Sequence, residues 1–149
     1  MATDKTNLTI IDDDLIYVKV LSEKLGQNSA LRISQYVNGE HFLADIEGKI
    51  PNILITDYYL NSQNSQAING AELIRKVRET YPDMAFIVLS GRADLSTASR
   101  TAELSEALDN NSNKVKLLLK EGAFFYVIKD SKAPSKIYDI VDALIRKGI

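Results

Sequence analysis

The chain has 149 residues, of which 45% are hydrophobic and 26% are charged, as is typical of a single soluble globular domain. The net charge of -2 at pH 7 argues against bulk attraction to nucleic acid or to an anionic membrane. Cysteine is absent, which excludes disulfides, thiolate metal sites and a cysteine nucleophile. No apolar run is long enough to span a membrane or to form the core of a signal peptide. We therefore expect a cytoplasmic protein without direct membrane or nucleic-acid contact.

Five short apolar runs alternate with helical patterns along the chain. Four runs are nearly continuous, as in strands covered on both faces, and the second alternates, as in a strand near a sheet edge. The predicted strands are 8–11, 31–33, 53–56, 85–89 and 124–128. Between them, helical spacing predicts helices over 15–25, 41–46, 71–81, 94–108, 114–121 and 134–147. This alternation predicts an α/β domain in which helices cover both faces of a parallel sheet.

The first predicted helix has a cap, an apolar side and a stop. Asp14 is placed to cap it, and Gly26 is placed to end it. Its apolar side is predicted to consist of Leu15, Val18, Leu21 and Leu25.

Reactive side chains follow four of the predicted strands. They are Asp12, Asp13 and Asp14 after strand one, Asp57 after strand three, Ser90 and Gly91 after strand four, and Lys129 after strand five. Because ligand crevices in such sheets lie beyond the carboxyl ends of the strands, we expect these groups to surround one crevice. Clustered carboxylates favour Mg²⁺, and the lysine, the hydroxyl and the glycine amide can hold a phosphoryl group. One carboxylate would then be the nucleophile.

Four motifs contain these strand ends. They are Ile10-Ile11-Asp12-Asp13-Asp14, Leu54-Ile55-Thr56-Asp57, Val88-Leu89-Ser90-Gly91 and Tyr126-Val127-Ile128-Lys129. In these motifs the sequence resembles the receiver domain of two-component response regulators. The motifs occur in order and span nearly the whole chain. The resemblance implies a flavodoxin-like fold, with five parallel strands in the order 2-1-3-4-5 and an enlarged segment between strands four and five. It also implies one receiver domain over residues 1–149, with no output domain.

The resemblance implies a role for each matching residue. Asp57 would accept a phosphoryl group. The Mg²⁺ ligands would be Asp12, Asp13, Asp57 and the backbone carbonyl of Tyr59. The phosphoryl group would be stabilised by Ser90, Gly91 and Lys129. Ser90 and Tyr126 would form the conformational switch, and Tyr59 and Arg92 would tune dephosphorylation.

The resemblance also implies partners. A histidine kinase or a histidine phosphotransfer protein would donate the phosphoryl group, since His41 is the only histidine of the chain. The domain would catalyse its own phosphorylation and dephosphorylation without being a conventional turnover enzyme. It would signal to a downstream protein through a changed surface at the fourth helix and fifth strand of the family fold. The same surface, with the fifth helix of that fold, would serve any oligomer.

Three departures from the family pattern motivate an alternative. Asp130 stands where the family usually has proline, the loop after Asp57 is longer than usual, and the segment between Ser90 and Lys129 is enlarged. The alternative is a degenerate receiver that acts as a phosphorylation-independent interaction module. A third hypothesis is a small phosphatase or flavin-binding protein of the same architecture. The acidic loop after strand one would repel a flavin phosphate unless a metal ion intervened.

Overall fold

The computed structural model describes residues 5–60, 68–91 and 99–149 of the chain. Within these ranges the strands are β1 Thr6–Ile11, β2 Leu31–Tyr36, β3 Ile53–Asp57, β4 Ala85–Ser90 and β5 Phe125–Ile128. The helices are α1 Leu15–Leu25, α2 Gly39–Asp45, α3 Gly70–Thr80, α4 Thr101–Asn110, α5 Ser112–Lys120 and α6 Ala133–Arg146, with a 3₁₀ turn at Ile46–Gly48. None of these helices is both long enough and apolar enough to cross a membrane.

The five strands form one parallel sheet in the order β2-β1-β3-β4-β5, which confirms the predicted fold. β3 and β4 are buried along their whole length, whereas in β2, at one edge of the sheet, only Leu31 is buried and the other residues are half-buried or exposed. The register pairs Ile11 with Thr56, Asp57 with Leu89, and Ser90 with Ile128. The carboxyl ends of β1, β3, β4 and β5 therefore meet at one edge of the sheet.

Alternating strand residues build a separate core on each face of the sheet. One core contains Ile53, Ile55, Ile87, Leu89 and Val127 of the strands, and the other contains Leu54, Phe86 and Val88. α2 and α3 contribute to the second core. α1 and α6 contribute to the first, and so do α4 and α5. α4 and α5 thus pack on the α1 face of the sheet.

Residues 99–101 lie along the outer edge of β5. The amide of Phe124 donates to the carbonyl of Ser99 at 3.0 Å, and the amide of Tyr126 donates to Thr101 Oγ1 at 2.7 Å. Arg100, between them, has a left-handed φ of 61° and forms ion pairs with Glu103 and Glu121. These residues cover a strand edge that would otherwise leave backbone groups unpaired. We call residues 99–101 the edge clasp.

Two predictions about the helices need correction. The predicted helix over 94–108 is interrupted at Arg100, whose backbone is left-handed, and α4 begins at Thr101. The part of the prediction over residues 94–98 lies outside the described ranges. Leu15 is 65% exposed rather than part of the apolar side of α1, because this first turn faces the cleft described below. Gly26 does end α1, but with a right-handed φ of -64°.

Candidate functional site

An open cleft of about 670 Å³ lies beyond the carboxyl edge of the sheet. Strand ends supply its chemistry, and the first turn of α1 supplies one rim. Its lining consists of Asp13, Asp14, Leu15, Ile16, Asp57, Tyr59, Gly91 and Lys129. The structure therefore brings together residues that are far apart in sequence, as the strand pattern predicts.

Three carboxylates converge in this cleft. Asp12 and Asp13 follow β1, and Asp57 ends β3. Each offers one carboxylate oxygen, and these oxygens lie within 4.8 Å of one another. Asp12 is fully buried and Asp57 is only 8% exposed, so solvent screens their charges weakly.

Lys129 supplies positive charge next to this cluster. Its Nζ lies 2.7 Å from Asp12 Oδ2 and 3.9 Å from Asp57 Oδ2. Its backbone amide donates to the carbonyl of Ser90 at 2.8 Å, which ties the end of β5 to the end of β4. Burial lowers the pKa of Lys129, but its hydrogen bond to Asp12 and the nearby carboxylate charges raise the pKa above its ordinary value. The ammonium therefore stays charged.

One ammonium does not balance the carboxylates. Burial and the charge of Asp12 raise the pKa of Asp57 to about 6, although the ammonium of Lys129 and the backbone of Tyr59 act in the opposite direction. Burial also raises the pKa of Asp12, against its hydrogen bonds with Lys129 and with the amide of Asp14. Such a cluster is stabilised by a further cation.

The donor set fits a hard divalent cation. Carboxylate oxygens are the protein ligands that Mg²⁺ prefers, and Mg²⁺ usually retains open positions for water and phosphate. Asp12, Asp13 and Asp57 would hold the ion, and the open cleft leaves room for a phosphoryl group. Tyr59 lines the same cleft, beside the Asp57 carboxylate.

The remaining predicted residues are placed as follows. Ser90 is fully buried at the end of β4, and Gly91 is exposed in the lining of the cleft. Tyr126 is 7% exposed on β5, and its buried hydroxyl has no hydrogen-bond partner within residues 5–60, 68–91 and 99–149. Arg92 lies outside the described residues. The described chain contains no cis peptide bond, so the bond between Lys129 and Asp130 is trans.

The structure adds three residues to the site that the sequence analysis did not identify. Gly70 begins α3 so close to β3 that a Cβ would lie 2.5 Å from the carbonyl oxygen of Asp57. Tyr17 places its ring 4.5 Å from Lys129 Nζ, and Thr101 holds the backbone of Tyr126. Gly70 directly precedes the predicted helix over 71–81, and a glycine at that position could have indicated a close approach of the backbone. No local pattern marks the other two residues.

Comparison with known proteins identifies the family. The family model described as "Response regulator receiver domain" matches residues 8–108, which is more than half of the chain. The chain therefore belongs to the receiver domains of two-component response regulators.

Individual relatives agree with this family. Over 89 residues the chain is 25% identical to the DNA-binding transcriptional regulator NtrC of Salmonella typhimurium, which covers 60% of this chain but 18% of NtrC. A CheY-like receiver domain protein from Methanospirillum hungatei is similar in fold, with a TM-score of 0.66 and 21% identity over 97% of this chain and 98% of that one. The response regulator DrrB of Thermotoga maritima has a TM-score of 0.67 and 23% identity over 97% of this chain and 54% of that one.

Proposed function

We propose that this receiver domain accepts a phosphoryl group on Asp57 from a phosphohistidine, in a Mg²⁺-dependent reaction. The observation that carries this proposal is the convergence of three carboxylates and one ammonium in an open cleft at the carboxyl edge of the sheet. The same residues would have little reason to meet in a module that does not use phosphate, since their mutual repulsion is unfavourable. We assign residues 1–149 to one receiver domain.

The chemistry follows from the positions of the side chains. A carboxylate oxygen of Asp57 attacks the phosphorus of the donor, and the bond between phosphorus and the imidazole nitrogen breaks. The electron pair stays on that nitrogen, and Asp57 becomes an acyl phosphate. Lys129 pairs with the phosphoryl oxygens, while the Ser90 hydroxyl and the Gly91 amide donate hydrogen bonds to them. Asp12, Asp13 and Asp57 would hold Mg²⁺, which would supply positive charge that offsets the charge on the phosphoryl oxygens.

The rim of the cleft favours a protein as the donor. Leu15 and Ile16, at the start of α1, are 65% and 79% exposed, and both line the cleft that contains Asp57. Exposed apolar residues next to a reactive group are typical of an interaction site. We assign this rim to the histidine kinase or phosphotransfer protein that presents the phosphohistidine.

Phosphorylation would change the surface around β5. The added charge attracts the Ser90 hydroxyl, at the end of β4, and Lys129, which follows the strand that carries Tyr126. The amide of Tyr126 is bonded to Thr101 of the edge clasp. We propose that a change at Tyr126 passes through this bond to α4, and that a downstream protein recognises the changed surface there.

The test is the intact mass of the protein after incubation with a small-molecule phosphodonor and Mg²⁺. We expect wild type to gain one phosphoryl group, and Asp57→Asn to gain none. Asp139→Asn, a change of an exposed carboxylate on α6, is the matched control and should be modified like wild type. Chelation of Mg²⁺ should prevent the gain in mass.

The same experiment decides between this function and the degenerate receiver. A wild-type protein that gains no phosphoryl group from small donors or from a phosphorylated phosphotransfer protein contradicts the proposal and favours the phosphorylation-independent module. A gain that persists in Asp57→Asn would assign the modification to another residue.

A further inference from the structure

The ammonium of Lys129 has a third neighbour besides the two carboxylates. The Tyr17 ring, on the first turn of α1, has its centroid 4.5 Å from Lys129 Nζ. The amide of Tyr17 donates to Asp14 Oδ1 at 3.1 Å, which fixes the start of the helix. The ring also packs against the core on the α1 face of the sheet. Tyr17 is therefore held in position from two sides.

The attraction between an aromatic ring face and an ammonium differs from the attraction between a carboxylate and an ammonium. The attraction comes from the ring quadrupole, so it takes up none of the three N–H donors of the lysine. Lys129 is 17% exposed in its side chain and has a route to solvent. The contact with the ring favours the present position of the ammonium and leaves its donors available for oxygen atoms in the cleft.

The hydroxyl of Tyr17 does not explain its placement. Its Oη is buried and has no hydrogen-bond partner among the described residues. Burial, and then the charges of Asp12, Asp130, Asp57 and Asp14, raise the pKa of this phenol to about 12, so it remains neutral near pH 7. A buried hydroxyl without a partner is unfavourable, which leaves the ring as the useful part of the side chain.

We propose that Tyr17 is a positioning residue, whose ring holds the ammonium of Lys129 at the wall of the cleft between Asp12 and Asp57. As Asp57 becomes an acyl phosphate, the ammonium needs to exchange part of its contact with Asp12 for contact with the phosphoryl oxygens. The ring keeps the ammonium within the cleft during this exchange. The effect on the rate rests on the proposed function, whereas the placement of Lys129 can be tested without it.

The first test measures the placement directly by NMR, with neither phosphodonor nor metal present. A ring face shifts nearby protons upfield, so the side-chain protons of Lys129 should be shifted upfield in wild type. Tyr17→Phe should keep this shift and Tyr17→Leu should lose it. Tyr138→Leu is the matched control, because Tyr138 forms a similar contact with Lys24 at 5.2 Å and should leave the Lys129 shift unchanged. Tyr17→Met serves in place of the leucine variant should that variant fail to fold.

The second test measures the rate of phosphorylation by a small-molecule donor. Tyr17→Leu should slow it about threefold to tenfold, and Tyr17→Phe should restore it to within about twofold of wild type. In a Lys129→Ala background, Tyr17→Leu should cause no further loss, because its effect acts through the lysine.

Three results would overturn the proposal. The first is an NMR shift of the Lys129 side-chain protons that is the same in wild type and in Tyr17→Leu. The second is phosphorylation that is as slow in Tyr17→Phe as in Tyr17→Leu. The third is a loss of phosphorylation rate on Tyr17→Leu that is equal in the presence and in the absence of Lys129. A wild-type protein that is not phosphorylated at all would instead overturn the proposed function, while the NMR shift would still decide where Tyr17 holds Lys129.

Discussion

The carboxyl edge of the sheet and the segment between β4 and β5 follow different structural rules. At the carboxyl edge, Asp12, Asp57 and Lys129 meet because parallel pairing aligns the strand ends. In the segment, α4 and α5 join the core on the α1 face, and the edge clasp lies against β5. Backbone register positions the first region, whereas side-chain packing and a few hydrogen bonds position the second. The sheet itself therefore positions the side chains of the cleft, whereas the surface that we propose for signalling depends on the segment between β4 and β5.

Among these predictions, we expect the largest change in the free energy of unfolding from Lys129→Met at the carboxyl edge of the sheet. The substitution leaves the fully buried carboxylate of Asp12 without its ion pair, next to Asp57. Loss of one partner from a buried pair should lower the free energy of unfolding by about 3 kcal/mol at pH 7.5 without metal. Urea denaturation measures this, and the exposed Lys136→Met is the control. A loss no greater than that of the control would show that the pair is not buried.

The next effect is a stabilisation by Asp57→Asn that depends on pH. The raised pKa means that the folded protein holds the Asp57 proton more tightly than the unfolded chain, whose carboxyl titrates near 3.8. Wild type should therefore lose stability as pH rises from about 4 through about 6. Without metal, the variant should be more stable by about 2 kcal/mol at pH 7.5, and the difference should vanish below about pH 4.

Denaturation curves across this pH range provide the measurement for Asp57→Asn. We expect Mg²⁺ to stabilise wild type and reduce the stability advantage of the variant, since the ion would bind the carboxylate cluster of the folded protein. A variant that is less stable than wild type at pH 7.5 without metal would contradict the charge imbalance at this edge.

We expect a smaller loss of stability from Thr101→Val in the edge clasp, which belongs to the segment between β4 and β5. Valine has nearly the same shape but cannot accept the hydrogen bond of the Tyr126 amide. This amide should exchange with solvent faster, and stability should fall by about 1–2 kcal/mol. Hydrogen exchange followed by NMR measures the first effect, and Thr101→Ser, which keeps the hydroxyl, is the control. Unchanged protection of Tyr126 in the valine variant would show that the clasp does not hold β5.

The sequence predicts the carboxyl edge well for a physical reason. Nearly continuous apolar runs identify the buried strands, and their polar ends identify Asp12, Asp57 and Lys129 without any knowledge of distant contacts. Tyr17 was missed because its contact with Lys129 joins α1 to the end of β5. Periodicity also placed Leu15 on the buried side of α1, since it cannot distinguish a core from the rim of a cleft.

The segment between β4 and β5 was predicted less well. Its helical patterns are present in the sequence, and α5 is close to the predicted range of 114–121. The face of the sheet against which α4 and α5 pack depends on tertiary contacts, which the pattern does not encode. The edge clasp depends on a single hydroxyl and on a left-handed residue, Arg100, whose conformation is uncommon for a side chain other than glycine.

The most direct test of the central claim is to identify the residue that carries the phosphoryl group. Borohydride reduces an aspartyl phosphate to homoserine, which tandem mass spectrometry can locate in a peptide. After phosphorylation in the presence of Mg²⁺, we predict homoserine at position 57 only, with Asp12 and Asp13 intact. Homoserine at position 12 or 13, or none in protein that has gained a phosphoryl group, would contradict the assignment of Asp57 as the acceptor beside a metal-binding acidic pair.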